Sequence, residues 1–249
     1  GTIFDEPAPA VAASAQVRRC AVVTDRPLLA ASLTAALEVR SVSSHRVEVA
    51  DGFSDAAGAL RSVVETAGPI DAIVVAPTGR PPTSPPSSGW QRVLAEHRGI
   101  VEDIHRDAAW ARAAADYAAG GARPVRLVTL TDAVTSGGRS RAQASAQLAR
   151  AGLSSTGGRI AAFAAGIEAP EVTVASPVGE LVAHLLGHPE ASALAGAELV
   201  IGAGWLGLRS HPRPIGSITY GGPAVPDWFD ATLREVVGAT GCSPQIEVE

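Results

Sequence analysis

The chain carries short apolar runs of strand length separated by segments with helical spacing, and this alternation restricts it to a narrow set of folds. Asp71-Ala-Ile-Val-Val-Ala76 is continuously apolar after its first residue. A strand of that kind is buried on both faces, which is the condition inside a parallel sheet covered by helices on two sides. Residues 19–24, 125–130 and 197–201 predict further strands, residues 46–50 alternate at period two, and residues 172–174 predict a short strand. Helices are expected over residues 28–38, 54–66, 90–119, 139–150, 158–166 and 178–186. Strand and helix in alternation predict βαβ units and a doubly wound parallel α/β sheet. Residues 79–89 are rich in proline and serine and predict a loop. The expected organisation is a flexible arm over residues 1–17, an α/β domain over 18–206, and a Pro/Gly-rich tail over 207–249.

Composition excludes several classes of function. The sequence contains no lysine, so all 20 of its Lys+Arg residues are arginines. Schiff-base chemistry, a P-loop lysine and a lysine-assisted tyrosine are therefore unavailable. A net charge of −5 gives no electrostatic support for nucleic-acid binding. No run approaches the ~20 apolar residues of a membrane helix. Cys20 and Cys242 lie far apart and form neither a metal spacing nor a disulfide framework. Together with a start that shows no charged-then-apolar leader pattern, this makes a reducing cytoplasm the expected location.

Three stretches carry a resemblance to a known family. Gly68-Pro-Ile-Asp71-Ala-Ile-Val-Val looks like a "GxxDxLVNNAG" strand. Phe163-Ala-Ala-Gly-Ile-Glu168-Ala-Pro-Glu-Val-Thr-Val174 is similar to an "LAxELAPxGIRV" helix-to-strand passage. Ser176-Pro-Val-Gly-Glu180 through Ala197-Glu-Leu-Val-Ile-Gly-Ala-Gly204 looks like a closing "TPEEVA…ASxxTGxxLxVDGG". In this order the three resemble the short-chain dehydrogenase/reductase family over residues 18–205. The resemblance implies a Rossmann-like fold.

The departures from that family fall on its chemistry. Its first strand leads into a glycine turn that admits a pyrophosphate to a helix N-terminus. Here Thr24 is followed by Asp25-Arg-Pro-Leu-Leu, without a glycine, and Asp25 repels phosphate unless Arg26 offsets it. The family's "NNAG" is replaced by Val75-Ala76-Pro77-Thr78. The family's tyrosine donates a proton, a lysine four residues on lowers its pKa, and a serine positions the substrate. This chain has tyrosines only at Tyr117 and Tyr220. Aligned on Glu168, Ala151 and Ser155 take the tyrosine and lysine positions; in a register closer to the strand, Arg141 and Ser145 take them. The serine position falls on Thr131 or Asp132, and the helix asparagine on His97. The expectation is no catalytic, cofactor-binding or metal residues, and no cofactor.

Other constellations are weaker. His97 and His105 are eight apart, too far for the i, i+4 pair of a zinc helix. His184 and His188 have that spacing but no third ligand in reach, and capping or surface roles suit them better. Ser136-Gly-Gly138 and Ser154-Ser-Thr-Gly-Gly158 resemble phosphate-cradling loops only in composition. Trp205, Tyr220 and Trp228 fall in or beside the tail and are of the types enriched in interface cores, which makes them candidate interface residues.

The resemblance with its departures implies a non-catalytic sister subunit. It would assemble with a catalytic NAD(P)-dependent 3-oxoacyl/3-hydroxyacyl reductase, acting on coenzyme A or carrier-protein substrates, in a hetero-oligomer such as a tetramer. Two other readings stand beside it: an enzyme of changed chemistry using His97, Asp132 or Arg141, and a stand-alone ligand-binding or regulatory protein.

Overall fold

The computed structural model describes residues 16–47, 55–78, 88–121, 123–209, 224 and 226–239. Among the described residues seven strands form one sheet in the order β2-β1-β3-β4-β5-β6-β7. They are β1 (Arg19–Val23), β2 (Ser43–Val47), β3 (Ala72–Val75), β4 (Val125–Asp132), β5 (Ile160–Ile167), β6 (Glu198–Gly202) and β7 (Trp205–Arg209). All pairs are parallel except β6 with β7. The doubly wound sheet expected from the strand–helix alternation is therefore the fold.

Alternate residues of each strand feed two apolar cores. Cys20 and Val22 of β1 join one core beneath α1 (Pro27–Val39) and α6 (Glu171–Gly187). Ala21 and Val23 join the other, beneath α2 (Ala56–Ala67), α4 (Ile100–Gly120) and α5 (Ser136–Ser155). The cysteine is fully buried, and burial pushes the Cys20 thiol far above its ordinary range. A glycine brings α1 and α6 together: a Cβ at Gly179 would lie 2.7 Å from the Ser32 carbonyl oxygen.

Several elements differ from the sequence expectation. The helix expected over 158–166 is strand β5, whose eight residues are all buried between β4 and β6. Its alanines suggest helix by intrinsic propensity, but burial on both faces of a central strand outweighs that preference. The strand expected over 172–174 is the first turn of α6, which starts after Pro170 with Glu171 in its first turn. The passage from Phe163 to Val174 is thus strand-to-helix rather than helix-to-strand. The single helix expected over 90–119 is broken into α3 (Gly89–Glu96) and α4 by Gly99, at φ 76°. The sheet also continues past β6 through a tight Ala203-Gly204 turn into β7, so it reaches Arg209 rather than stopping before residue 207.

Residues 1–210 and 211–249 form separate compact units, the second containing α7 (Phe229–Ala239). Among the described residues no helix is long and apolar enough to cross a membrane.

Candidate cofactor and catalytic positions

In a doubly wound sheet, ligands bind outside the carboxyl ends of the strands where the strand order reverses. Here that switch point lies between β1 and β3. Among the described residues one strand lies outside β1, whereas the dinucleotide-binding order 3-2-1-4-5-6 has two.

The residues at the switch point are bonded to one another. Thr24 Oγ1 donates to the Ala76 carbonyl at 2.7 Å and accepts from Arg26 N–H at 3.1 Å. Asp25 Oδ1 accepts from both the backbone N–H and the hydroxyl of Thr78, at 2.7 and 2.8 Å. The segment expected to carry a pyrophosphate turn on β1 is thus stitched to the segment that replaces "NNAG" after β3.

The amino end of α1 has its own anion. Pro27 opens the helix, a position where its missing N–H is harmless. The carboxylate of Glu171, from the first turn of α6, accepts from Leu29 N–H and from Arg26 Nε, each at 2.8 Å. A carboxylate here meets the positive end of the helix dipole. It stands where the family pattern places a phosphate, and with no glycine between Thr24 and Pro27 the turn has side chains where a dinucleotide needs bare backbone. These residues do not fit a nicotinamide dinucleotide.

The residues that one of the two registers sets at the family's tyrosine and lysine positions belong to a buried polar network. Arg141 and Ser145 stand one turn apart on α5 and face α4. The Arg141 guanidinium grips Asp107 through Nε at 2.8 Å and Nη2 at 2.6 Å, and Ser145 Oγ donates to the same carboxylate at 3.1 Å. Thr131, at the end of β4, lies 3.4 Å from Ser145 Oγ. Arg141, Asp107 and Ser145 are 3%, 2% and 2% exposed. Burial works against the Arg141 charge, but the Asp107 hydrogen bonds and the charges of Asp107, Asp103 and Asp132 outweigh it and hold its pKa above the ordinary value. Both ends of the Arg141–Asp107 pair are thus held by side chains of α4 and α5 and shielded from solvent. Of the two registers, the inward-facing one is Arg141/Ser145, because Ala151 and Ser155 are exposed on the far part of α5.

The remaining candidates ring the first turn of α5 without entering that network. His97 caps α3, its Nδ1 2.8 Å from the Val93 carbonyl and its Nε2 3.1 Å from Ser140 Oγ. It falls outside α4 because of the break at Gly99, so the buried polar residues of α4 are Asp103 and Asp107 rather than His97. Asp132 accepts from Val134 N–H at 3.1 Å. The Glu96 carboxylate takes both the N–H and the hydroxyl of Ser136, at 2.9 and 2.5 Å. Those bonds, the hydroxyl first, with the nearby Arg92 and Arg139 charges, hold Glu96 below the usual carboxylate range. Gly137 and Gly138 are required by backbone: a Cβ on either would lie 1.9 Å from the Glu96 carbonyl oxygen or 2.2 Å from that of Asp132. The Ser136-Gly-Gly138 segment therefore cradles its own chain.

His105 is exposed, and His184 stacks on His188 with ring centroids 4.8 Å apart. Among the described residues no group of three or more His, Cys, Asp or Glu side chains could hold a metal ion. Trp205 and Trp228 are 48% and 47% exposed, and Leu206 and Leu208 beside Trp205 on edge strand β7 are exposed as well. Tyr220 lies outside the described residues.

Glu171 and Asp107 were not singled out from sequence. An acidic residue among the core positions of α4, beside Trp110, Ala113 and Ala114, was the available signal for Asp107. Glu171 was concealed by the reading of residues 172–174 as strand.

This architecture is that of the short-chain dehydrogenases and reductases. A short-chain dehydrogenase from Mycobacterium avium superposes with a TM-score of 0.64 at 17% identity, covering 90% of this chain and 96% of that one. A short-chain dehydrogenase/reductase from Serratia marcescens gives 0.54 at 14% identity, over 76% and 98%. One from Mycobacterium smegmatis gives 0.51 at 14%, over 80% and 98%. No protein-family model and no curated protein matches the sequence. At these identities the likeness is one of fold.

Proposed function

We propose that this chain is a non-catalytic, short-chain-dehydrogenase-like subunit that assembles with and supports a catalytic NAD(P)-dependent oxidoreductase of the same fold. The observation that carries this reading is the sealed Arg141–Asp107–Ser145 network. It lies on the two helices whose counterparts carry the family's tyrosine, lysine and asparagine. A retained fold with its chemical positions turned into core has lost selection for catalysis while keeping selection for shape. The partner's substrate class, a 3-oxoacyl or 3-hydroxyacyl group on coenzyme A or a carrier protein, rests on the resemblance alone. The exposed apolar edge of β7, with Trp205, Leu206 and Leu208, supports an assembly surface. The reading of changed chemistry loses Arg141, which is committed to Asp107.

The test is purification from the native host followed by reconstitution. The expected result is a stoichiometric short-chain reductase carrying an intact tyrosine–lysine pair. Turnover of the pair should survive Asp132→Ala and Ser145→Ala in this chain and be abolished by changing the partner's tyrosine. Trp205→Ala should weaken association by ~2 kcal/mol, as truncation of large buried interface aromatics does. Loss of turnover in an intact complex carrying Asp132→Ala would place this chain in the chemistry and overturn the reading.

A further inference from the structure

The amino ends of β1 to β4 meet at the end of the sheet opposite the switch point, and a cavity of about 780 Å³ opens beside them. Small-molecule sites span roughly 300–1,000 Å³. The wall is basic although the chain's net charge is −5. Arg18, Arg19 and Arg123 line it against a single carboxylate, that of Asp71. That carboxylate is already engaged: Oδ2 accepts from the backbone N–H groups of Arg18 and Arg19 at 2.9 and 3.1 Å, and Oδ1 lies 3.5 Å from Arg123 Nη1. Among the described residues nothing engages the Arg18 guanidinium or the hydroxyls of Ser41 and Ser43, which line the same cavity. The Tyr117 hydroxyl accepts from Ile70 N–H at 2.9 Å, which leaves its own proton to donate. Donors therefore outnumber acceptors on this wall. Ser41 adds a second sign. It follows α1 in the left-handed region at φ 58°, the sole non-glycine residue so placed among the described residues. Glycine ends a helix in this way at least cost. A serine here carries backbone strain and sets a hydroxyl on the cavity wall.

We infer that this cavity binds a small organic anion carrying two or more oxyanion groups, carboxylate or phosphate. Arg18 and Arg19 belong to β1 and its approach, and Arg123 to the approach to β4. Those strands are separated by β3, so the two basic flanks stand about two strand spacings apart, roughly 10 Å. Separate oxyanion groups thus meet separate guanidinium forks. Val64, Ile70 and the Tyr117 ring give the ligand's carbon frame an apolar surface. None of these residues belongs to the switch point or to the Arg141 network, so the site stands apart from both the dinucleotide question and the partner reading.

The test uses the full-length chain alone. Citrate and pyrophosphate are titrated calorimetrically into wild type and variants, and melting temperatures are compared in each anion and in chloride at matched ionic strength. At least one of the two should bind saturably and raise the melting temperature above that in chloride; the tighter one identifies the oxyanion. Arg18→Ala and Arg123→Ala should each weaken binding by about tenfold or more, as loss of a charge-assisted hydrogen bond does. Arg139→Ala removes an arginine at the opposite end of the sheet, in the first turn of α5, and should leave binding unchanged. The inference is overturned if neither anion saturates in the millimolar range, if Arg18→Ala and Arg123→Ala bind like wild type, or if Arg139→Ala weakens binding as much as they do. Arg123 is 62% exposed and its pair with Asp71 is long, so Arg123→Ala keeps the fold and decides the outcome if Arg18→Ala does not fold.

Discussion

Replacing Asp107 by alanine should destabilise this protein more than almost any other single polar substitution. The carboxylate holds Arg141 through two short bonds and receives a third from Ser145, all among side chains that water scarcely reaches. Alanine at 107 leaves a guanidinium in the core with Asp103 and Asp132 as its nearest charges. Breaking one half of a buried ion pair costs roughly 3–5 kcal/mol, because the remaining charge is uncompensated. For a domain of this size about 1 kcal/mol moves the melting temperature by roughly 2–4 °C, so a fall on the order of 6–20 °C is expected. The double replacement Asp107→Leu with Arg141→Met removes both charges at similar volume and should recover most of the loss. The folded pKa of Arg141 lies above its unfolded value. Its contribution is therefore fully present below the unfolded value and disappears only when pH rises through the folded one, far into the alkaline range. The assay is thermal unfolding followed by circular dichroism on the two variants and wild type. A melting temperature for Asp107→Ala within about 2 °C of wild type would refute the claim that the network is sealed.

Two smaller changes probe the first turn of α5. The folded pKa of Glu96 is depressed by Ser136, so its stabilisation is present above the ordinary carboxylate pKa and lost as pH falls through the folded value; Glu96→Gln should melt with a shallower dependence on pH across the acid range than wild type does. Gly137→Ala places a methyl group against the Glu96 carbonyl, and overpacking of this kind should lower stability by roughly 1–3 kcal/mol, measured by urea unfolding.

What could be read from the sequence followed from burial pattern. The continuous apolar runs at β1, β3 and β4 announce buried parallel strands because both faces of such strands must be apolar. β5 hid because alanine and glycine, needed where Ala133 and Ala142 crowd Gly166, have no strand preference of their own. That misreading shifted the passage around Glu168 and pushed one alignment of the catalytic positions onto Ala151 and Ser155. The missing glycine turn and missing lysine were legible outright, since an absent residue needs no structure to interpret. The partners of the residues standing in their place were not legible. Asp107 meets Arg141 from a helix 34 residues away in sequence, and Glu171 reaches Leu29 across 142. Pairings over such distances arise from the packing of α4 on α5 and α6 on α1, and no local pattern encodes them.

Direct titration of the isolated chain with NADH and NADPH tests whether the switch point between β1 and β3 takes a dinucleotide. With Glu171 seated on α1, and with Thr24 and Asp25 bonded across the switch point, calorimetry should show no saturable binding into the millimolar range for either nucleotide. A dissociation constant in the low micromolar range for either one would mean that the switch point is open to the cofactor.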